Sequence, residues 1–234
     1  MAFDQRQYPY DLADTVAWIA SLVPPGGRVL EIGSGDGAVV EALTARGIDI
    51  VGVDPSATDR INVSPIGFEE LDAAPFDVVY ASVSLHHLAD PACARDALRR
   101  LTKPGTIMAI REFDRLLMDE GPTLEWWFHQ RHARRAADQE DAFLRGDPHA
   151  ALSDSFEPFR KMWREMMEHH VLPWQTVLEV LTGAGFTTES VQATPYLFRW
   201  DLDEAVRPLE EHLIATNRIR AIGIRWMGRR NAVD

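Results

Sequence analysis

The sequence predicts an α/β protein with a doubly wound, mainly parallel sheet, and three observations carry that prediction. Short apolar runs bounded by Gly and Pro alternate with segments of helical spacing from residue 28 to 112. A strand-like run, Val29-Leu30-Glu31-Ile32, passes straight into a glycine-rich turn and then a helical pattern. A comparable alternation returns after residue 173. Strands that alternate with helices in this way form a parallel sheet covered on both faces.

The elements follow in order. After the turn Pro24-Pro25-Gly26-Gly27, residues Arg28 to Ile32 form the first strand. Ala38, Val39, Ala42, Leu43 and Ala45 recur at helical spacing and stop at Gly47, and Ile48 to Val53 form the second strand. Pro55, Asn62, Pro65 and Gly67 leave only a shortened crossover between Asp54 and Leu71. Phe76 to Ala81 is a strand, Asp90 to Leu101 a helix, and Thr106 to Ile110 a strand after the Pro104-Gly105 turn. From residue 113 to 170 the apolar positions, among them Leu116, Leu124, Trp127, Phe156, Trp163 and Met166, predict two or three amphipathic helices inserted as a cap. The tail reads as a helix from Pro173 to Ala184, a β-run from Phe186 to Trp200, a helix from Asp203 to about Thr216 and a strand from Ile219 to Met227. The expected division is an N-terminal helical lid (1–27), a core (28–112), a helical cap (113–172) and a returning part of the same sheet (173–234).

Composition narrows the function. With 24 basic and 36 acidic residues the net charge is −12, which disfavours a nucleic-acid partner, and 46% hydrophobic residues suffice for a large core. A single cysteine, Cys93, rules out an internal disulfide framework and Cys-based zinc clusters and points to a reducing compartment. No signal-like N-terminus and no 18-residue apolar run stand in the sequence, so the expectation is a cytoplasmic protein with no membrane partner, monomeric or homodimeric.

The turn Gly33-Ser34-Gly35-Asp36-Gly37 lets the chain bend sharply and lets a ligand approach bare backbone ahead of a helix. Asp54, at the end of the second strand, is placed to accept both hydroxyls of a ribose, which implies a nucleoside-containing ligand. A loose dinucleotide pattern also fits this turn. Glu31 and Asp36, however, repel phosphates and suit the ammonium and sulfonium of S-adenosylmethionine.

On four ordered blocks the chain resembles the class I S-adenosylmethionine-dependent methyltransferases of the small-molecule, methyltransferase-11-like type. These are VLEIGSGDG at 29–37, VGVDPS at 51–56, FDVVYASVSLHHLADP at 76–91 and LRRLTKPGTIMAIREF at 98–113. The resemblance implies a Rossmann-like seven-stranded sheet with an antiparallel last strand. It also implies site roles: Glu31 toward the methionine amino group, Gly33, Ser34 and Gly35 beneath sulfur and ribose, Asp54 and Pro55 at the ribose, and Ala81 and Ser82 near the methionine end. Where many relatives read adenine with an Asp, this chain has Phe68, which can stack on the base, with Glu69 or nearby backbone as the polar contact.

Methyl transfer is an in-line displacement that mainly requires alignment and exclusion of water. A hydroxyl acceptor gains from a general base, and the turn after the fourth strand holds Ser84-Leu85-His86-His87 while the fifth strand ends at Arg111-Glu112-Phe113. Both ends open on the same edge of a parallel sheet. His86 as base oriented by Glu112 is the expected pair, supported by the resemblance, with His87 structural; the alternative is that the histidines cap the next helix and pack beneath the cofactor. His129 and His132 lie among Arg131, Arg134 and Arg135 and read as a solvated face, and no metal is expected. Tyr10, Trp127 and Trp163 are the aromatic candidates for the acceptor wall, against the alternative that such rings only hold the cap together, and Arg115, Arg160 and Arg164 are candidate anchors for an acidic acceptor.

The preferred reading is methyl transfer from S-adenosylmethionine to a small-molecule hydroxyl in metabolite or natural-product biosynthesis. N- or C-methylation, an NAD(P)-binding oxidoreductase and a non-catalytic cofactor-binding protein are the competing readings. The oxidoreductase needs a Tyr-x-x-x-Lys or comparable proton donor, and no such spacing follows the fourth strand.

Overall fold

The computed structural model describes residues 9–57, 62–136, 155–200 and 204–232; of residues 9, 10, 134–136 and 204 it describes the backbone alone. Among the described residues seven strands form one sheet: β1 (Arg28–Ile32), β2 (Asp49–Val53), β3 (Val63–Ser64), β4 (Phe76–Ser82), β5 (Thr102–Phe113), β6 (Phe186–Thr194) and β7 (Gly223–Arg230). Their order is β3-β2-β1-β4-β5-β7-β6. The pairs β1–β2, β1–β4, β2–β3 and β4–β5 are parallel, and the strands at the C-terminal end bring in antiparallel pairing. Eight helices accompany it among the described residues: α1 (Pro9–Leu22), α2 (Ala38–Thr44), α3 (Pro91–Leu101), α4 (Arg115–Met118), α5 (Thr123–Ala136), α6 (Phe156–His170), α7 (Trp174–Gly183) and α8 (Arg207–Ala215).

Two compact units result. The first contains residues 1–112, 175–192 and 225–234, and the second residues 113–174 and 193–224. In the first, the pleat sends Val29, Val78, Tyr80 and Ala109 to one face, where they join Val16 and Ile19 of α1 and Val39, Val40 and Leu43 of α2. The alternate residues Leu30, Ile32, Val79, Ala81, Met108 and Ile110 are equally buried. Helix α1, expected as a lid, is thus also a structural layer, with Ile19 at 0% exposure. Helix α3 starts where the sequence places it: Asp90 accepts from the N–H groups of Ala92 (2.8 Å) and Cys93 (3.1 Å), and Pro91 needs no partner there.

Three expected boundaries move. Strand β5 begins at Thr102, four residues early, because Lys103-Pro104-Gly105 form a bulge that Thr106 closes, accepting from Lys103 N–H at 3.0 Å and donating to the Phe76 carbonyl at 2.6 Å. The β-run expected to reach Trp200 stops at Thr194. Pro195 has no N–H for a ladder, and the next three N–H groups, of Tyr196, Leu197 and Phe198, are captured at 2.7–2.9 Å by the buried carboxylate of Glu210. The last strand runs from Gly223 to Arg230 and not from Ile219 to Met227, and residues 193–224 belong with 113–174 in the second unit, so the expected cap of 113–172 is incomplete.

Candidate functional site

The glycine turn is built against the turn after β4. Gly33, Gly35 and Gly37 all have positive φ (71°, 53° and 75°), and a Cβ at Gly33 would stand 2.3 Å from the Cβ of Ser84. Ser84 Oγ donates to the Ile32 carbonyl at 3.0 Å, locking the two turns together. Val83 takes a φ of 51°, a costly conformation for a β-branched residue, while its N–H is held at 2.8 Å by the Arg111 carbonyl.

Electrostatics single out Glu31. Its side chain is 1% exposed, and neither carboxylate oxygen has a protein hydrogen-bond partner. Burial, then the charges of Asp36 and Asp54, push its pKa well above the ordinary value of 4.5. An unpartnered buried carboxylate beside two more acids is a site for a cation, and a diphosphate would add to the repulsion. Ser34 is also buried, its hydroxyl without a protein partner.

Asp54 does more than the sequence reading assigns it. One oxygen accepts from Gly35 N–H and the other from Ser56 N–H, each at 2.8 Å, so this carboxylate ties β2 to the glycine turn while each oxygen keeps a lone pair for a hydroxyl. Asp54→Ala is expected to weaken nucleoside binding by about 10- to 100-fold, the value of a pair of charge-assisted bonds. Calorimetric titration with S-adenosylhomocysteine checks it, and unchanged affinity would take Asp54 out of the site.

The remaining cofactor candidates are placed unequally. Pro55 is exposed, Glu69 is half-buried on a single 3₁₀ turn, Ser82 is half-buried and Ala81 fully buried at the end of β4. Phe68 is 4% exposed, so in this structure its ring serves packing and offers a base little face to stack on.

His86 and Glu112 come together. Their side chains are 4% and 1% exposed, and His86 Nδ1 lies 2.7 Å from Glu112 Oε1. His87 is exposed, its ring centroid 4.0 Å from that of His86. The pleat of β5 explains why Arg111 and Glu112 act apart: Glu112 follows Met108 and Ile110 to the face of His86, while Arg111 follows Ala109 to the face of α1 and pairs there with Asp11 and Asp14. Sequence reading missed Arg111; its alternation with Glu112 on a strand was the available signal.

In the second unit Trp127 and Trp163 are 0% and 2% exposed, their rings 5.0 Å apart and joined by Phe159 and Trp200. Trp127 Nε1 donates to the Trp200 carbonyl at 2.9 Å, whereas the buried indole N–H of Trp163 has no protein partner. These rings are the interior of that unit and not an open wall. Tyr10 falls outside the described side chains. Arg131, expected on a solvated face, is 4% exposed with its guanidinium 4.3 Å over Trp127, because an arginine fork can lie flat on an indole. His129 does have an acidic neighbour, Glu125, at 3.9 Å on the same helix face, and His132 packs on Phe128. Arg160 and Arg164 are both engaged by Asp119, at 3.0 and 2.5 Å, which leaves them poorly placed as anchors for an acidic acceptor. An open cleft of about 650 Å³ between the loops at 120–122 and 217–220 lies in this unit, away from Glu31 and His86 in sequence and lined by none of the candidate residues.

Residues 5–191 match a family model described as a methyltransferase domain. The chain belongs to the class I S-adenosylmethionine-dependent methyltransferases. The chain is 36% identical over 97 residues to a ubiquinone biosynthesis O-methyltransferase of Hahella chejuensis, a match that covers 35% of this chain and 41% of that enzyme. To the enzyme of the same name from Xylella fastidiosa it is 32% identical over 118 residues, covering 43% and 48%. The chain therefore spans less than half the length of these curated relatives. Among solved structures, an S-adenosylmethionine-dependent methyltransferase of Mesorhizobium loti superposes with a TM-score of 0.53 at 18% identity, over 94% of this chain and 100% of that one. A geranyl diphosphate methyltransferase in complex with geranyl diphosphate and sinefungin gives 0.57 at 12% identity, over 93% and 77%. A 4+2 cyclase gives 0.55 at 18% identity, over 95% and 81%, so the fold by itself does not dictate methylation. Among the described residues no helix is long and apolar enough to cross a membrane, and no group of His, Cys, Asp or Glu is arranged to hold a metal ion.

Proposed function

We propose that this methyltransferase methylates a hydroxyl of a small molecule, with the cofactor's methionine ammonium at Glu31, its ribose at Asp54 and the His86–Glu112 pair serving the acceptor. The observation that carries the cofactor placement is the buried Glu31 carboxylate with both oxygens unpartnered, beside a glycine turn that admits no Cβ at Gly33. S-adenosylmethionine supplies, when bound, a methyl on a sulfonium that departs as a neutral thioether. The chain's own task is then to align the acceptor, exclude water and take up the hydroxyl proton.

The His86–Glu112 contact supports the last of these. With Nδ1–H donated to Glu112, the ring is held in one tautomer, whose Nε2 is the atom that would take up the acceptor's proton. The curated relatives named as O-methyltransferases favour a hydroxyl over an amine or carbon acceptor. Function without a metal, in the cytoplasm, belongs to the same reading.

The test is direct. Transfer of labelled methyl from S-adenosylmethionine to a panel of phenolic and aliphatic hydroxyl compounds should give product, and His86→Ala should then lower turnover about 10²-fold or more with S-adenosylhomocysteine affinity kept. Glu112→Gln should lower turnover less. A near-normal rate in His86→Ala would leave alignment alone as the mechanism, and transfer to amines only would overturn the hydroxyl assignment.

A further inference from the structure

At the edge where the parallel strands begin, opposite the one where β1 and β4 end, three arginines surround a single turn. The end of β7 reaches this edge, where Arg229 Nη1 donates to the Gly105 carbonyl at the start of β5, at 3.3 Å. Helix α7 closes here through residues 183–185, with Gly185 at a φ of 92°. Arg99, in the last turn of α3, donates from Nη2 to the Gly183 carbonyl at 2.7 Å, and the stem of Arg95 passes 3.0 Å from where a Cβ of that glycine would stand. Arg230 lies against Gly185, whose Cβ would stand 2.0 Å from its Nη1, so bare backbone at 185 is the seat of this guanidinium. The N–H of Asn231 donates to the Gly185 carbonyl at 3.0 Å and holds the end of β7 on the turn.

The charges gathered here do not balance. Asp96 is shared between Arg95 at 3.2 Å and Arg99 at 3.3 Å, and Arg229 has its own partner, Glu189, at 2.6 Å. Arg230 has no hydrogen bond or ion pair among the described residues, and its Nε is shut off from solvent without a partner. Burial, then the charge of Arg99, lower its pKa from the ordinary arginine value. The carbonyl end of α7 draws cations to this turn, which accounts for the gathering of arginines but not for one of them lacking an acid beside a like charge. A half-buried guanidinium with an unused fork and no counter-ion is a place for an anion.

We propose that Arg230, Arg99 and Arg95 form a phosphate site, which takes a phosphate dianion either free or as the terminal group of a small phosphomonoester. The planar fork of a guanidinium matches two oxygens of a phosphate, and a tetrahedral dianion can meet guanidinium groups from more than one side. Arg230 supplies the unused fork, while Arg99 and Arg95 add positive charge that Asp96 only partly offsets. Three arginines less one carboxylate leave two positive charges, the charge of the dianion. Arg99 is exposed, so the turn is open to solvent. An anion held there ties α3 to β7 and stabilises the chain without touching Glu31 or His86.

The test is thermal unfolding of the full chain in a phosphate-free buffer at constant ionic strength, with inorganic phosphate or glycerol 3-phosphate added. At about 10 mM either compound should raise the wild-type melting temperature by about 3–5 °C, the shift that a Kd on the order of 1 mM gives in a chain of this size. Arg230→Gln should lose most of that response, and without phosphate it should melt no lower than wild type, because it removes an unpaired cation. Arg99→Gln, on a separate element, should lose the response as well, whatever the freed Gly183 carbonyl does to its basal melting temperature. A larger shift with the ester points to a metabolite's phosphate as the occupant, and a larger shift with inorganic phosphate to the free ion. Equal shifts in wild type and Arg230→Gln would mean that phosphate acts through the solvent and would overturn the site. So would a wild-type protein that responds to neither compound.

Discussion

Glu31→Gln is expected to make the cofactor-free chain more stable and the enzyme much weaker in cofactor binding. In the free chain Glu31 is buried, has no partner and feels Asp36 and Asp54, so its folded pKa is raised above the unfolded value. A carboxyl raised in this way contributes most to stability when protonated, and that contribution is lost as pH rises from the ordinary carboxylate range through the folded pKa. Glutamine removes the ionisation at nearly the same volume. At neutral pH the variant should therefore melt a few degrees higher, since about 1 kcal/mol shifts the melting temperature by roughly 2–4 °C in a chain of this size. Its melting temperature should also vary less between pH 5 and 8 than that of wild type. On the proposed placement S-adenosylhomocysteine affinity should fall roughly 10²-fold, because an ammonium that would meet a buried carboxylate would meet a neutral amide instead. In wild type the same linkage makes cofactor affinity rise with pH over the window in which free Glu31 loses its proton. A Glu31→Gln protein that melts at the wild-type temperature and keeps its affinity would remove the central charge from the site.

How far the sequence reveals this arrangement depends on the range of the interaction. The glycine turn, Asp54 and Glu31 lie within one strand-turn-helix-strand segment, and there local spacing and charge suffice. The His86–Glu112 pair was legible because two parallel strands end at a common edge, although 26 residues separate the partners. Arg230 was not legible: the sequence does not separate it from Arg229, and only the seat of β7 beside β6 and α7 gives one of them a carboxylate, Glu189, and the other none. Phe68 illustrates the converse, an aromatic expected at the adenine whose burial depends on packing that no motif records. The second unit was read least well. Its helices follow from their apolar spacing, but residues 193–224 join it through a turn that seats Tyr196 on Phe113 and Trp200 on Trp127, and that turn is held by Glu210, an acid indistinguishable in sequence from its exposed neighbour Glu211.

Glu210→Ala is expected to open the second unit. The side chain is 0% exposed, and its two oxygens accept the N–H groups of Tyr196 (2.7 Å), Leu197 (2.9 Å) and Phe198 (2.9 Å). Burial pushes its pKa up, with those three N–H groups and Arg199 pulling the other way, so the carboxylate is costly to bury and wholly dependent on its donors. Alanine leaves three buried N–H groups without an acceptor, at about 1 kcal/mol or more each, and leaves a cavity besides. A loss of roughly 3–5 kcal/mol is a large share of the 5–15 kcal/mol that holds an ordinary domain folded. The turn at 196–200 carries Tyr196, stacked 5.1 Å from Phe113, and Trp200, which meets Trp127 and Trp163 at 5.9 and 5.4 Å, so releasing the turn loosens the aromatic interior of the unit. Native-state hydrogen exchange should show early loss of protection at 196–198, and limited proteolysis should cut this turn first. Glu210→Gln should fall between the two proteins, because its carbonyl oxygen can still serve Tyr196 and Leu197 while its amide opposes the N–H of Phe198. A stability change below about 0.5 kcal/mol in Glu210→Ala, the range of an ordinary surface substitution, would show that the turn is held by its rings alone.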